Sequence, residues 1–234
     1  MSSITYGRGQ VEWALWRAFS RRGASSGDAP QVFLTRVKRL LEIDREMDLS
    51  NREEPPCAQF AFVDAPERRG GEVAFAPVDA FCLAVALDLL DAGFKQSEVV
   101  FLMRYLRIDL EGRFSQMLEG PDLNARRRYP AAKYPNLPTM KHKGKTYADG
   151  RVFVVIKKFE ITEALASPKL VNHTGPLFLE PVFCRGSEDL GRTLSETMPD
   201  HRRVVTVVEL AATAQAICAF LEQAPEIRRG RPKS

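Results

Sequence analysis

Apolar positions recur at helical spacing through the first half of the chain and at strand spacing through much of the second. Over residues 8–20, Val11, Leu15 and Phe19 share one face, with Trp13 and Trp16 adding bulk, which predicts a helix. The Gly/Ser-rich residues 21–28 predict a loop. A second helix is expected over 30–46, opened by Asp28 and Pro30, with Phe33, Val37, Leu40 and Leu41 as its apolar stripe. Thr35, Arg36, Lys38 and Arg39 fall mostly off that stripe and face solvent or a ligand.

The period then changes. Phe60 and Phe62 alternate with Ala61 and Val63, and Val73 and Phe75 with Glu72 and Ala74. The intervening APERRGG predicts a β-hairpin turned by Gly70 and Gly71, with Arg68 and Arg69 at its tip. Pro77 and Asp79 open a helix that is apolar nearly all round, from Phe81 to Leu90, and belongs in the core. Gly93 is placed to end it with a left-handed cap, and Ser97 to begin the next helix. That helix has the stripe Val99, Leu102, Met103, Leu106 and Leu110, which extends through Phe114 and Met117 unless Gly112 breaks it. Residues 119–150, with four prolines and three glycines, read as a linker or extended arm. Beyond it, RVFVVIKKFEI, PLFLEPVF and VVTVVEL predict strands, and ATAQAICAFLEQA a closing helix with Ile217, Phe220 and Leu221 on one face.

Charge changes the picture. The net charge is only +4, yet residues 124–158 carry ten Lys/Arg against one Asp, a local +9. Such a segment attracts polyanions, nucleic acid before anionic lipid. Arg126, Arg127 and Arg128, with Lys133, Lys141, Lys143 and Lys145, are interleaved with Tyr129, Tyr134 and Tyr147. Cations suit phosphates and aromatic rings suit unstacked bases, so this arm is a candidate nucleic-acid contact.

Asp79–Met103 resembles the two helices that follow the wing in MerR-type winged-helix regulators. The likeness centres on Gly93, Phe94, Glu98, Val99 and Leu102. It covers about residues 5–110 and implies a winged DNA-binding architecture and a two-fold dimer. In that arrangement Thr35, Arg36, Lys38 and Arg39 face the groove and Arg68 and Arg69 a flanking phosphate. The tail RRGRPKS resembles an AT-hook, in which Arg229 and Arg231 lie in a narrow minor groove.

Catalytic signals are sparse. His142, His173 and His201 are scattered, and no HExxH, Walker A, GxSxG or GxGxxG occurs, so neither a catalytic nor a metal site is expected and no cofactor is implied. A site from Cys184, His173 and His201 would need an accident of folding. Cys57, Cys82, Cys184 and Cys218 form no CxxC pair and read as reduced thiols. The longest apolar run is the eight residues Ala80–Leu87, far short of a span of about 20, and no secretory signal is evident.

The expected fold is therefore α+β: a winged helix-turn-helix domain over 1–118, the arm over 119–150, a small α/β domain over 151–225 and a flexible tail over 226–234. The expected function is sequence-specific regulation of transcription by a cytoplasmic, nucleoid-associated homodimer on double-stranded DNA, with a small-molecule or protein partner possible at the C-terminal domain. Two rivals stand beside it: a sequence-indifferent nucleoid or RNA-binding protein run by the arm, and an enzyme housed in the C-terminal domain.

Overall fold

In a computed structural model, residues 4–20, 28–47, 58–63, 73–125, 127–158, 181–196 and 204–226 are described. They form a mixed helix-and-sheet protein of two units, Met1–Phe114 with Ala216–Ser234, and Ser115–Gln215.

The first unit is built on helices α1 (Arg8–Phe19), α2 (Gln31–Glu46), α3 (Pro77–Asp91) and most of α4 (Gln96–Leu118). The apolar character of α3 on every side explains its position: Ala80–Leu87 and Leu89 are all buried. Pro77 occupies its first turn, and the Asp79 carboxylate accepts the Ala76 N–H at 2.7 Å. At its other end Gly93 has φ +90°, with Phe94 N–H donating to Leu89 O and Gly93 N–H to Leu90 O, the Schellman closure expected there. The helix α4 starts at Gln96, one residue before the Ser97 cap expected, because Glu98 instead accepts the Lys95 N–H at 3.1 Å. Gly112 does not interrupt it, since Leu110 and Met117 are both buried. Trp16 packs edge-on to Phe33, and Phe19 also reaches that ring, which joins α1 to α2.

Phe60–Val63 and Val73–Phe75 do not pair as the expected hairpin. Residues 60–63 form bends, not a strand, because the Ala61 and Phe62 amides are both taken by the Asp44 carboxylate of α2. Ala74–Phe75 (β2) instead pairs antiparallel with Tyr6–Gly7 (β1). Arg68 and Arg69 lie outside the described residues.

The second unit holds two antiparallel sheets. Thr139–His142 (β3) and Lys145–Ala148 (β4) form a hairpin, in register Met140↔Tyr147 and His142↔Lys145. Its two-residue turn has φ 48° at Lys143 and 74° at Gly144, both left-handed, as the twist of a tight hairpin demands. The other sheet has the order β6 (Val182–Arg185), β5 (Val152–Lys158), β7 (Val204–Glu209), with every pair antiparallel. Every hydrogen-bonded strand pair is antiparallel, which makes this unit α+β rather than the expected α/β, although β6 and β7, flanking β5 and running the same way, have the helix Gly186–Glu196 between them in the chain.

Helix α5 (Gly186–Glu196) lays Leu190 and Leu194 against Phe153, Val155 and Cys184, while Val154 and Ile156 on the opposite face are also fully buried. This two-sided burial is why β5 reads as a continuous apolar run. Helix α6 (Ala211–Leu221) begins in this unit and ends in the first. Its Gln215 donates to Met117 O and Pro121 O and accepts the Leu123 N–H, which fixes the chain as it leaves α4. Residues 119–150 are thus a folded part of the second unit, not a linker between domains.

Candidate nucleic-acid interface

The four α2 residues singled out from the sequence do not form a bare cationic face. Thr35 Oγ1 donates to Gln31 O within its own helix at 2.8 Å. Arg36 Nη2 meets Asp91 Oδ1 at 2.6 Å, and Lys38 Nζ lies 3.4 Å from Glu42 Oε1. Arg39 is exposed. Two of the three cations on this face are thereby balanced by carboxylates of the same unit.

The β3–β4 hairpin differs. Between Leu123 and Ala148 the sequence has no Asp or Glu, so the local chain offers its cations no counter-charge. Lys133, Lys141, Lys143 and Lys145 are exposed, as are Arg127 and Arg128, and among the described residues none of the six pairs with a carboxylate. Strand alternation divides the ribbon into two faces. Met140, His142, Lys145 and Tyr147 share one, and Thr139, Lys141, Thr146 and Ala148 the other. Thr139, Lys141 and Thr146 stand in solvent beside the exposed tip, Lys143 and Gly144.

Aromatic rings stiffen the base of this surface. Tyr129 is buried, its ring set edge-on to Tyr134 at 5.8 Å, and its hydroxyl accepts Arg127 Nε at 2.8 Å. The Arg127 guanidinium also stacks 4.9 Å from that ring, and Arg128 stands 5.9 Å from the ring of Tyr147. The Tyr129 carbonyl accepts the Ala148 N–H at 2.9 Å, and Pro130 bridges to Tyr147. The tyrosines therefore hold arginines in place and brace the ribbon.

The ribbon is tied to the larger sheet through Asp149. This buried carboxylate accepts Arg151 Nε at 2.7 Å and Nη2 at 2.9 Å, the Ser187 N–H at 2.8 Å, and the Ser187 hydroxyl. Burial alone pushes its pKa up, but the hydrogen bonds from Arg151 and Ser187 outweigh it and hold Asp149 below the usual carboxylate range. Arg151 Nη2 reaches Met140 Sδ at 3.4 Å as well, so one guanidinium joins β3, β5 and the start of α5.

Of the remaining sequence candidates, Arg126, Arg229 and Arg231 lie outside the described residues, as do Cys57, His173 and His201. Cys184 is buried, with its thiol donating to Thr193 Oγ1. Among the described residues no three His, Cys, Asp or Glu side chains gather as a metal site would require, and no helix is long and apolar enough to cross a membrane. Cys82, Cys184 and Cys218 are free thiols. Burial pushes Cys82 up to about 12 and Cys218 up to about 11, so neither is an activated nucleophile.

Sequence reasoning marked the cations of 126–145 but missed the hairpin that displays them. The signal present was the Lys143-Gly144 turn between two four-residue runs. Comparison with protein-family models, curated proteins and solved structures finds no match to this chain.

Proposed function

We propose that the protein binds nucleic acid, and that the contact surface is the β3–β4 ribbon with its Arg127–Lys133 base. The observation that supports this is the acid-free run between Leu123 and Ala148, which ends in a hairpin whose lysines, among the described residues, pair with no carboxylate. Unneutralised Lys and Arg on a braced scaffold displace the counterions condensed on a phosphate backbone, which yields affinity without sequence preference. This favours the arm-driven, sequence-indifferent reading over operator-specific regulation.

A MerR-type winged helix acting as a two-fold dimer remains the alternative, and it would need α2 and a neighbouring wing to share one cationic surface. The carboxylate partners of Arg36 and Lys38, and the pairing of β2 with β1, weigh against it.

The test is a salt titration of binding to a fluorescent 20-base-pair duplex. With about five phosphates neutralised, log affinity should fall against log salt with a slope near −5. Replacing Lys133, Lys143 and Lys145 with Gln should reduce the slope by roughly 3. Binding that ignores salt, or a triple variant indistinguishable from the native chain, would overturn the proposal.

A further inference from the structure

Resting on that reading, we infer that the β3–β4 ribbon enters the major groove of B-form DNA with its Thr139–Lys141–Thr146 face toward the base edges. Three observations carry the inference.

The first is shape. Four residue pairs at about 3.4 Å each make a ribbon roughly 14 Å long, with its strands about 5 Å apart. The major groove of B-DNA, about 12 Å wide, admits a two-stranded ribbon as it stands; the minor groove, about 6 Å wide, has to be widened or the duplex bent to take one. The A-form major groove of duplex RNA is too narrow for it.

The second is the difference between the faces. On one face Met140 is met by Arg151 and the Tyr147 ring by Arg128, while Pro130 pairs with Tyr147 along the strand edge. Thr139, Lys141 and Thr146 are exposed, and among the described residues none is hydrogen-bonded to their side chains. A lysine ammonium and two hydroxyls supply donors and acceptors of the kind that base edges present in the major groove.

The third concerns single strands. A stacking platform needs open ring faces. Tyr129 is buried and edge-on to Tyr134, and Arg127, Lys133 and Arg128 stand over the rings of Tyr129, Tyr134 and Tyr147. The rings serve as supports, which leaves the duplex as the fitting substrate.

The experiment compares variants that remove equal charge from opposite faces of the full chain. Lys141→Gln should weaken binding to a mixed-sequence B-DNA duplex about tenfold, and Lys145→Gln only two- to threefold. Methyl green, a major-groove ligand, should displace the protein, whereas netropsin, a minor-groove ligand, should not. Duplex RNA and single-stranded DNA of the same sequence should bind at least tenfold more weakly. Equal losses for the two lysines, displacement by netropsin alone, or tighter binding of single strands would overturn the inference while leaving nucleic-acid binding intact. Failure of every one of these polyanions to bind would overturn both.

Discussion

Asp44 and Arg104 stand sixty residues apart in the chain and form an ion pair of 2.9 Å, with side chains only 3% and 5% exposed. Arg104 also donates to the Asp44 main-chain carbonyl, while the Asp44 carboxylate accepts the amides of Ala61 and Phe62. Four donors thus converge on one residue, and the bends at 60–63 are held against α2 and α4 instead of pairing as a strand.

Removing that carboxylate leaves a buried guanidinium without its counter-charge and two amides without acceptors. Asp44→Ala should therefore destabilise the protein by about 3–5 kcal/mol in urea unfolding. The double variant Asp44→Ala/Arg104→Met should cost less than the two single changes added together, because it leaves no unpaired charge. A loss below about 1 kcal/mol for the single alanine variant would show that something else positions the segment.

Glu209 gives the second unit a pH dependence of unusual sign. Burial pushes its carboxyl up to about 6, although the Ala211 and Ala212 N–H groups of α6 pull the other way. The native state thus holds this proton more tightly than the unfolded chain, whose Glu titrates near 4.5. The resulting stabilisation is complete below about pH 4.5 and is lost as pH rises through about 6. Glu209→Gln, which cannot ionise, should gain about 1–2 kcal/mol relative to the native chain between pH 4.5 and 7.5. Paired urea titrations at those two values check it, and a difference that stays constant with pH would refute it.

Two left-handed glycines of the second unit should respond differently to alanine. At Gly186, φ +80°, an added Cβ would stand 3.0 Å from Pro138 Cβ and 3.4 Å from the Asp149 carboxylate, so Gly186→Ala combines backbone strain with crowding at the ribbon's anchor. At Gly144, φ +74°, nothing lies within 4 Å, and Gly144→Ala bears only the backbone cost, about 1–2 kcal/mol. Thermal unfolding should place Gly186→Ala below Gly144→Ala; the reverse order would mean that the anchor tolerates the methyl group.

The α2 cations provide a control for the interface. Arg36→Ala with Lys38→Ala removes two exposed ion pairs, each worth about 0–1 kcal/mol, and should leave DNA affinity within about twofold. A tenfold loss of affinity would return the groove contact to α2.

Much of the helical scaffold was legible because its signals are local. The stripe Phe33, Val37, Leu40, Leu41 marked α2, and Asp44 lies one turn further along the same stripe. A charged residue on an apolar stripe was the available hint of a buried ion pair, but its partner, sixty residues away, left no local trace. The α5 pattern was hidden because only Leu190 and Leu194 of its eleven residues pack on the sheet cluster. The β3–β4 hairpin was hidden because lysines and threonines occupy the positions where alternating aliphatics announce a strand.

From its order of residues alone the chain determined where most helices and the strands β5 and β7 lie, that α3 is enclosed on all sides, and that positive charge gathers over 124–158. Those properties depend on spacing and composition, which neighbouring residues settle between themselves. Only the tertiary structure decided that β2 pairs with β1, that residues 119–150 fold into the second unit, and that Arg36 meets Asp91 while, among the described residues, the ribbon lysines meet no carboxylate. Pairing and neutralisation depend on which distant groups arrive within about 3 Å, and that distance is set by the packing of the whole unit.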